Sequence, residues 1–435
     1  MSQSAAATPP ARRRRWLRWL LIACVVVFVV ALIALRIVLQ PERATRLILS
    51  SLGNALGLEI TARGRPELQL RGTPTLVVRD VTATQRGAHV PLLRAERVLL
   101  SLPWSTIRNR GRNLDLVRIE LDAPVLDLPA LQRWLATRPP SPEQARLPVL
   151  RKGLAIVRGR IDNASWRIDG IDLSLRELHP DRPLDAKLRG RYVATAAAAT
   201  RTAIPFDLAL AMTQPRNGAG SAVVGSVALE RGDWQLPMSI NLSGPLRLGR
   251  DSLHVAPARL AMSATYVTGD TRLPFVLGVH GPLRFDEATW TLAPVGVALR
   301  GDGVVPVLDA RGAFALGRAL ALRLDGRLPQ WPPAWPALPP PIGASQSPLP
   351  FVLDYAGAVD FSGIARLQLR RDVSRFDARM RLPDVLAWID ADAAGTPLPP
   401  LSGTASAPRL EISGAQLEGV EVVIDEPGVP AAEAP

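Results

Sequence analysis

The sequence predicts a mostly β protein, an N-terminal transmembrane helix followed by a long antiparallel β-sheet with few short helices. Three observations carry this. Residues 19–35 form an uncharged apolar run, and later apolar residues alternate with polar ones in stretches bounded by Gly, Pro, Asn or Asp. The 41 prolines among 435 residues, about twice ordinary usage, disfavour long helices. Hydrophobic residues at 47% and charged residues at 21% exclude disorder throughout the chain.

The elements follow in order. Residues 1–18 are read as a basic cytoplasmic N-terminus, because Arg12, Arg13, Arg14, Arg15 and Arg18 precede the apolar run and such charge stays on the inner side of a membrane. Residues 19–39 are the anchor. About 20 apolar residues cross ~30 Å of hydrocarbon, and Arg36 can snorkel to the interface. A cleaved signal peptide would carry a shorter apolar core and a small-residue site, which Ala31-Leu32-Ile33-Ala34 matches poorly. The span is therefore expected to be retained, with the bulk of the chain outside. Leu47, Ile48, Leu52 and Leu56 sit at near-helical spacing, so a short helix is predicted over 42–56, ending at Gly57.

Residues 40–138 read as a first exported region, with strands near 68–70, 75–78, 97–102 and 116–121 and a few helical turns around Leu131, Trp134 and Leu135. Pro139, Pro140 and Pro142 mark a linker, and a boundary is placed at 140–148. Residues 149–425 form a second region of repeated antiparallel strands with a Pro-rich loop at 329–350, and residues 426–435 a disordered tail. This second region carries an internal repeat. Gly244-Pro245-Leu246-Arg247-Leu248 and Ala256-Pro257 recur, 37 residues on, as Gly281-Pro282-Leu283-Arg284-Phe285 and Ala293-Pro294. A unit of that length is expected to hold about three strands, each unit touching mainly its neighbours. Trp331 and Trp335 in the Pro-rich loop are expected to pack back onto the sheet.

Composition and motifs narrow the chemistry. Lys+Arg 52 against Asp+Glu 39 gives a net charge of +13, but five of the arginines precede the anchor and the charges beyond Arg409 are all acidic. No basic stripe with interleaved aromatics exists, so a nucleic-acid partner is not expected. Cys24 is the single cysteine and lies in the apolar run, so neither a disulfide nor a thiolate cage is available. His89, His179, His254 and His280 are widely spaced, which argues against a metal site. No nucleophile elbow or P-loop occurs, and Gly218-Ala219-Gly220 lacks the third glycine of a dinucleotide motif. Asp390 and Asp392 read as alternate residues on one strand face, hence solvated. No enzyme activity, catalytic residue, metal or cofactor is predicted.

An antiparallel sheet normally buries one face, and few helices are available here to cover it. The sheet must then close, form a sandwich, or curl into a groove whose apolar face a ligand covers. Candidate lining residues are Leu208, Leu210, Met212, Leu246, Leu248, Leu283, Phe285, Leu320, Leu322 and Leu324, which alternation alone assigns sooner to an ordinary sandwich core.

The N-terminal segment resembles the AsmA family of bacterial envelope proteins. Residues 52–57 and Leu58-Glu59-Ile60-Thr61-Ala62-Arg63-Gly64 are similar to the family's short helix and first strand; residues 68–81, 91–98 and 116–126 are similar to its next strands, and residues 401–424 to its terminal strand-turn repeats. The resemblance implies a single-pass inner-membrane protein with its bulk in the periplasm, and an elongated, curved, open β-groove that shields acyl chains. Its expected partners are inner-membrane lipid and phospholipid acyl chains, together with other envelope proteins, and its expected role is phospholipid binding or transfer in support of outer-membrane assembly. A scaffold for envelope proteins that binds no lipid is the competing expectation.

Overall fold

The computed structural model describes residues 57–429 with short breaks, chiefly 105–114, 138–148, 195–201, 336–342 and 391–399. The predicted span at 19–39, the helix at 42–56, the Pro139–Pro142 linker and Asp392 lie outside the described residues. No helix among the described residues is long and apolar enough to cross a membrane. The fold is mostly β, antiparallel and poor in helices.

The chain divides into two units, one of residues 1–235 with 246–252 and one of residues 236–245 with 253–435. In the first, β1 (Leu58–Ala62) and β2 (Glu67–Gln69) pair with opposite halves of β3 (Thr75–Gln85). Next to β3 comes β4 (Pro91–Ser101), which pairs with β6 (Arg118–Asp122) and β7 (Val125–Asp127). Helix α1 (Leu128–Ala136) follows, its first turn capped by the Asp127 carboxylate, which accepts the Ala130 N–H at 2.7 Å. The apolar side of α1 enters a core of Leu58, Ile60, Ala83, Leu92, Ala130, Leu131 and Trp134.

One departure from the antiparallel expectation occurs here. Strand β9 (Leu154–Asp162) runs parallel to β6 and β7, and β8 (Val149–Leu150) parallel to β5 (Asp115–Leu116). A parallel pair needs a crossover connection, and the segment containing α1 supplies it. On the far side of the expected boundary at 140–148, β9 continues the sheet begun by β3 to β7. At this join Arg158 holds φ +55°, and its guanidinium donates to Glu96 (2.7 Å) and Asp122 (2.8 Å). From β9 the strands β10 (Trp166–Leu175), β11 (Leu184–Ala194), β12 (Thr202–Met212) and β13 (Ala219–Arg231) pair antiparallel in succession.

Strand β14 (Trp234–Leu248) gives residues 236–245 to the second unit. That unit continues with β15 (Leu253–Thr268), β16 (Thr271–Asp286), β17 (Thr289–Gly301), β18 (Leu308–Leu316) and β19 (Leu320–Leu328). It ends with β20 (Leu349–Gly357), β21 (Ala365–Arg371), β22 (Ser374–Met380), α2 (Leu382–Asp390), β23 (Leu401–Ile412) and β24 (Ala415–Ile424). From β15 to β24 each strand pairs antiparallel with the next.

Three further expectations are corrected. The 37-residue repeat spans two strands and not three, because β15 and β16 are 16 residues long each. Its physical content is a bulge: the register skips between Val255 and Ala258 opposite Gly281, and between Leu292 and Val295 of the next pair. Both Ala-Pro peptides at these bulges are cis, and Gly244 and Gly281 hold φ +154° beside them. Asp390 closes α2 instead of lying on a strand, since Leu382-Pro383 begins a helix whose first turn carries Asp384. The first residues of the expected tail are held in place. Ser402 Oγ accepts the Glu426 N–H (2.9 Å) and donates to the Val429 carbonyl (3.1 Å), and Val429 is buried.

Candidate functional site

On a strand, alternate side chains share a face, and directly opposed residues on neighbouring strands share it too. In the second unit this rule joins a row of apolar residues across nine strands. Val255 of β15 stands opposite Leu283, Leu283 opposite Leu292, Leu292 opposite Phe314, and Phe314 opposite Leu322. The row continues through Tyr355, Ala365, Met380 and Leu401 of β23. At ~4.8 Å per strand it runs roughly 38 Å. A parallel row passes from Gly312 through Leu324, Leu353 and Leu367 to Ala378, and another joins Met262, Leu277, Leu299 and Leu308.

Most of these side chains are half-buried: Leu277, Leu292, Leu299, Leu322, Leu324 and Leu353 each touch their neighbours without being enclosed. That is the state of a sheet face without a second layer on it. Covers reach this face among the described residues at both ends of the strands, and Phe361 of the β20–β21 loop also meets the Tyr355 ring at 5.2 Å. Trp331 packs on Leu328, Leu349 and Phe351, while its ring meets Trp335 edge-on at 4.9 Å. From α2, Leu382 packs against Leu320, Tyr355 and Ala365, and Val385 against the cluster of Ala378, Met380 and Leu401. Between them lies Leu353 on β20, two residues from Phe351 on one side and from Tyr355 on the other. That interval from Phe351 to Tyr355 is about 13 Å along the strand, wide enough for hydrocarbon chains to lie across the strands.

Of the residues singled out in the sequence, Leu283, Phe285, Leu320, Leu322 and Leu324 share this face. In the first unit Leu208, Leu210 and Met212 share a face with Leu188, Ala186 and Leu184 of β11. Leu246 and Leu248 lie at the end of β14, tied to the β12–β13 turn by Gly218 N–H to Leu246 O (2.7 Å) and Leu248 N–H to Asn217 Oδ1 (3.1 Å). Sequence reasoning misses Val255, Leu277, Leu292, Leu299, Phe314 and Tyr355, although their alternation with polar neighbours carries the same signal. It misses helix α2 as well. Leu382, Val385, Leu386 and Ile389 have helical spacing in the sequence, and Pro383 suits a first turn.

The opposite face is polar. Exposed Arg311, Arg323 and Arg327 alternate with the apolar residues of β18 and β19. Arg323 reaches Asp354 at 3.5 Å, and Arg366 donates to both oxygens of Asp377, holding that carboxyl below the ordinary carboxylate range. Among the described residues no three His, Cys, Asp or Glu side chains converge as metal ligands.

Comparison with family models, with curated proteins and with solved structures finds no match to the chain. The functional reading therefore rests on the residues themselves.

Proposed function

We propose that the chain is held in the bacterial inner membrane by residues 19–39 and that its exported β-sheet is an elongated, curved, open groove. In this reading the groove binds phospholipid by its acyl chains in the periplasm and holds or passes that lipid in support of outer-membrane assembly. The observation that carries the reading is the apolar row from Val255 to Leu401, half-buried from Leu283 through Leu322, with covers reaching its face at the ends of the strands among the described residues. The energetics suit it. Each CH₂ removed from water contributes about 0.8 kcal/mol, so burying even half of an acyl chain of about 16 carbons outweighs a wet apolar surface. The resemblance of residues 52–126 and 401–424 to the AsmA family supports the same reading.

Photo-crosslinking in cells tests it. A photoreactive phenylalanine at Leu277 or Leu299 of the full chain is expected to yield adducts with ³²P-labelled phospholipid, and the same residue at Arg311 or Arg327 on the opposite face is not. Equal labelling of both faces, or none, would remove the lipid reading.

The scaffold reading has one observation in its favour: β24 pairs only with β23 among the described residues, and its Val423 is 71% exposed. Protein adducts in place of lipid from the same crosslinker positions would select it.

A further inference from the structure

The polar face of the second unit holds a feature that the lipid reading does not use. On the β21–β22 hairpin Arg366 stands directly opposite Arg379, and Arg370 directly opposite Arg375, with Gln368 and Asp377 between the two pairs. Like charges directly opposed on neighbouring strands are destabilising. Asp377 is the carboxylate that stands among these four guanidinium groups on the two strands, a second, Asp372, lying in the turn, and Arg366 engages both oxygens of Asp377. Arginines therefore outnumber carboxylates on this part of the face.

Beside the Arg366–Arg379 pair lies a surface cavity of about 640 Å³. Its floor is made of alanines from three adjacent strands, Ala313 and Ala315 of β18, Ala321 of β19 and Ala356 of β20. These residues are neighbours by register, Ala315 opposite Ala321 and Ala321 opposite Ala356. The next row along the strands is Ala313, Arg323, Asp354, Arg366 and Arg379, so three guanidinium groups and one carboxylate rim one side of an apolar dent.

We propose that this cavity binds an anionic amphiphile, with its acid group between Arg366 and Arg379 and its hydrocarbon over the alanine floor. The acid group adds negative charge where like charges stand opposed, and guanidinium forks suit phosphate or carboxylate oxygens. The short side chains of the floor leave room for several methylenes. The site lies on the face opposite the Val255–Leu401 row and does not depend on lipid binding there.

The test is calorimetric titration of octyl phosphate into the full chain held in phosphatidylcholine nanodiscs, with empty nanodiscs as the blank. About one octyl phosphate per chain is expected, and Arg379→Gln and Ala321→Phe should each weaken binding at least about tenfold, the loss of one charge-assisted bond or of the floor. Arg379→Lys, which keeps the charge but loses the fork, should retain part of the affinity and guards against a variant that does not fold. Leu277→Glu, on the apolar face, should leave octyl phosphate binding unchanged even where it abolishes phospholipid crosslinking. If octanol bound as tightly as octyl phosphate, the role of the arginines would be overturned; if inorganic phosphate did, that of the floor would be. Adsorption to phosphatidylglycerol vesicles without octyl phosphate binding would overturn the discrete site in favour of a membrane-facing patch.

Discussion

Gly281 shows how much a single position can demand. Its φ of +154° suits glycine alone, and a Cβ built there would meet the carbonyl oxygen of Pro294 on the neighbouring strand. Gly281→Ala should therefore cost about 1–3 kcal/mol in denaturant unfolding, whereas Gly303→Ala, at φ +63° with open space around it, should cost only about 1 kcal/mol. Asp372 makes a prediction of a different kind. Ser345 and Ser347 donate their hydroxyls to its carboxylate and lower its pKa, which ties the end of the Pro-rich loop to the β21–β22 turn. A carboxyl whose pKa falls on folding adds stability above its ordinary value of 3.8 and loses that contribution as pH drops through the lower, folded value. The melting temperature of Asp372→Asn should accordingly lie below that of the parent at pH 7, and the gap should close in the acid range below the ordinary value.

Among the elements, α1 is the most legible in the sequence, because Leu131, Trp134 and Leu135 at helical spacing follow an Asp-Leu-Pro start. Its weight in the first core is testable: Trp134, 1% exposed, should cost about 3–5 kcal/mol when replaced by alanine. Asp127→Ala should cost about 1 kcal/mol through the lost cap. The strands are legible as to kind but not length, since turn residues such as Gly244-Pro245 lie inside β14 and Gly281-Pro282 inside β16. A Gly-Pro pair reads locally as a break, and only the bulged partner strand shows that the ladder continues through it. Parallel pairing of β9 is illegible for a related reason. Nothing in Leu154-Ala155-Ile156-Val157 distinguishes a parallel neighbour from an antiparallel one, because the direction is decided by the crossover through α1.

For the whole molecule, alternation makes the existence of an apolar face legible and leaves open whether anything covers that face. The candidates Leu283, Phe285, Leu320, Leu322 and Leu324 fit a sandwich core as well as an open sheet, because both obey period two. Only the accessible surface separates the two cases, and it depends on elements distant in sequence such as Trp331 and α2. The repeated bulge has a last consequence, for how such a chain can grow. Gly244 and Gly281 occupy equivalent positions, each beside a bulge on the strand that follows, so residues 245–281 amount to a cassette with matching ends. A tandem, in-frame duplication of that cassette should lengthen the protein by a hairpin without shifting any side chain to the wrong face. Length, in a chain built this way, is a property that duplication can alter while the pattern of contacts stays the same.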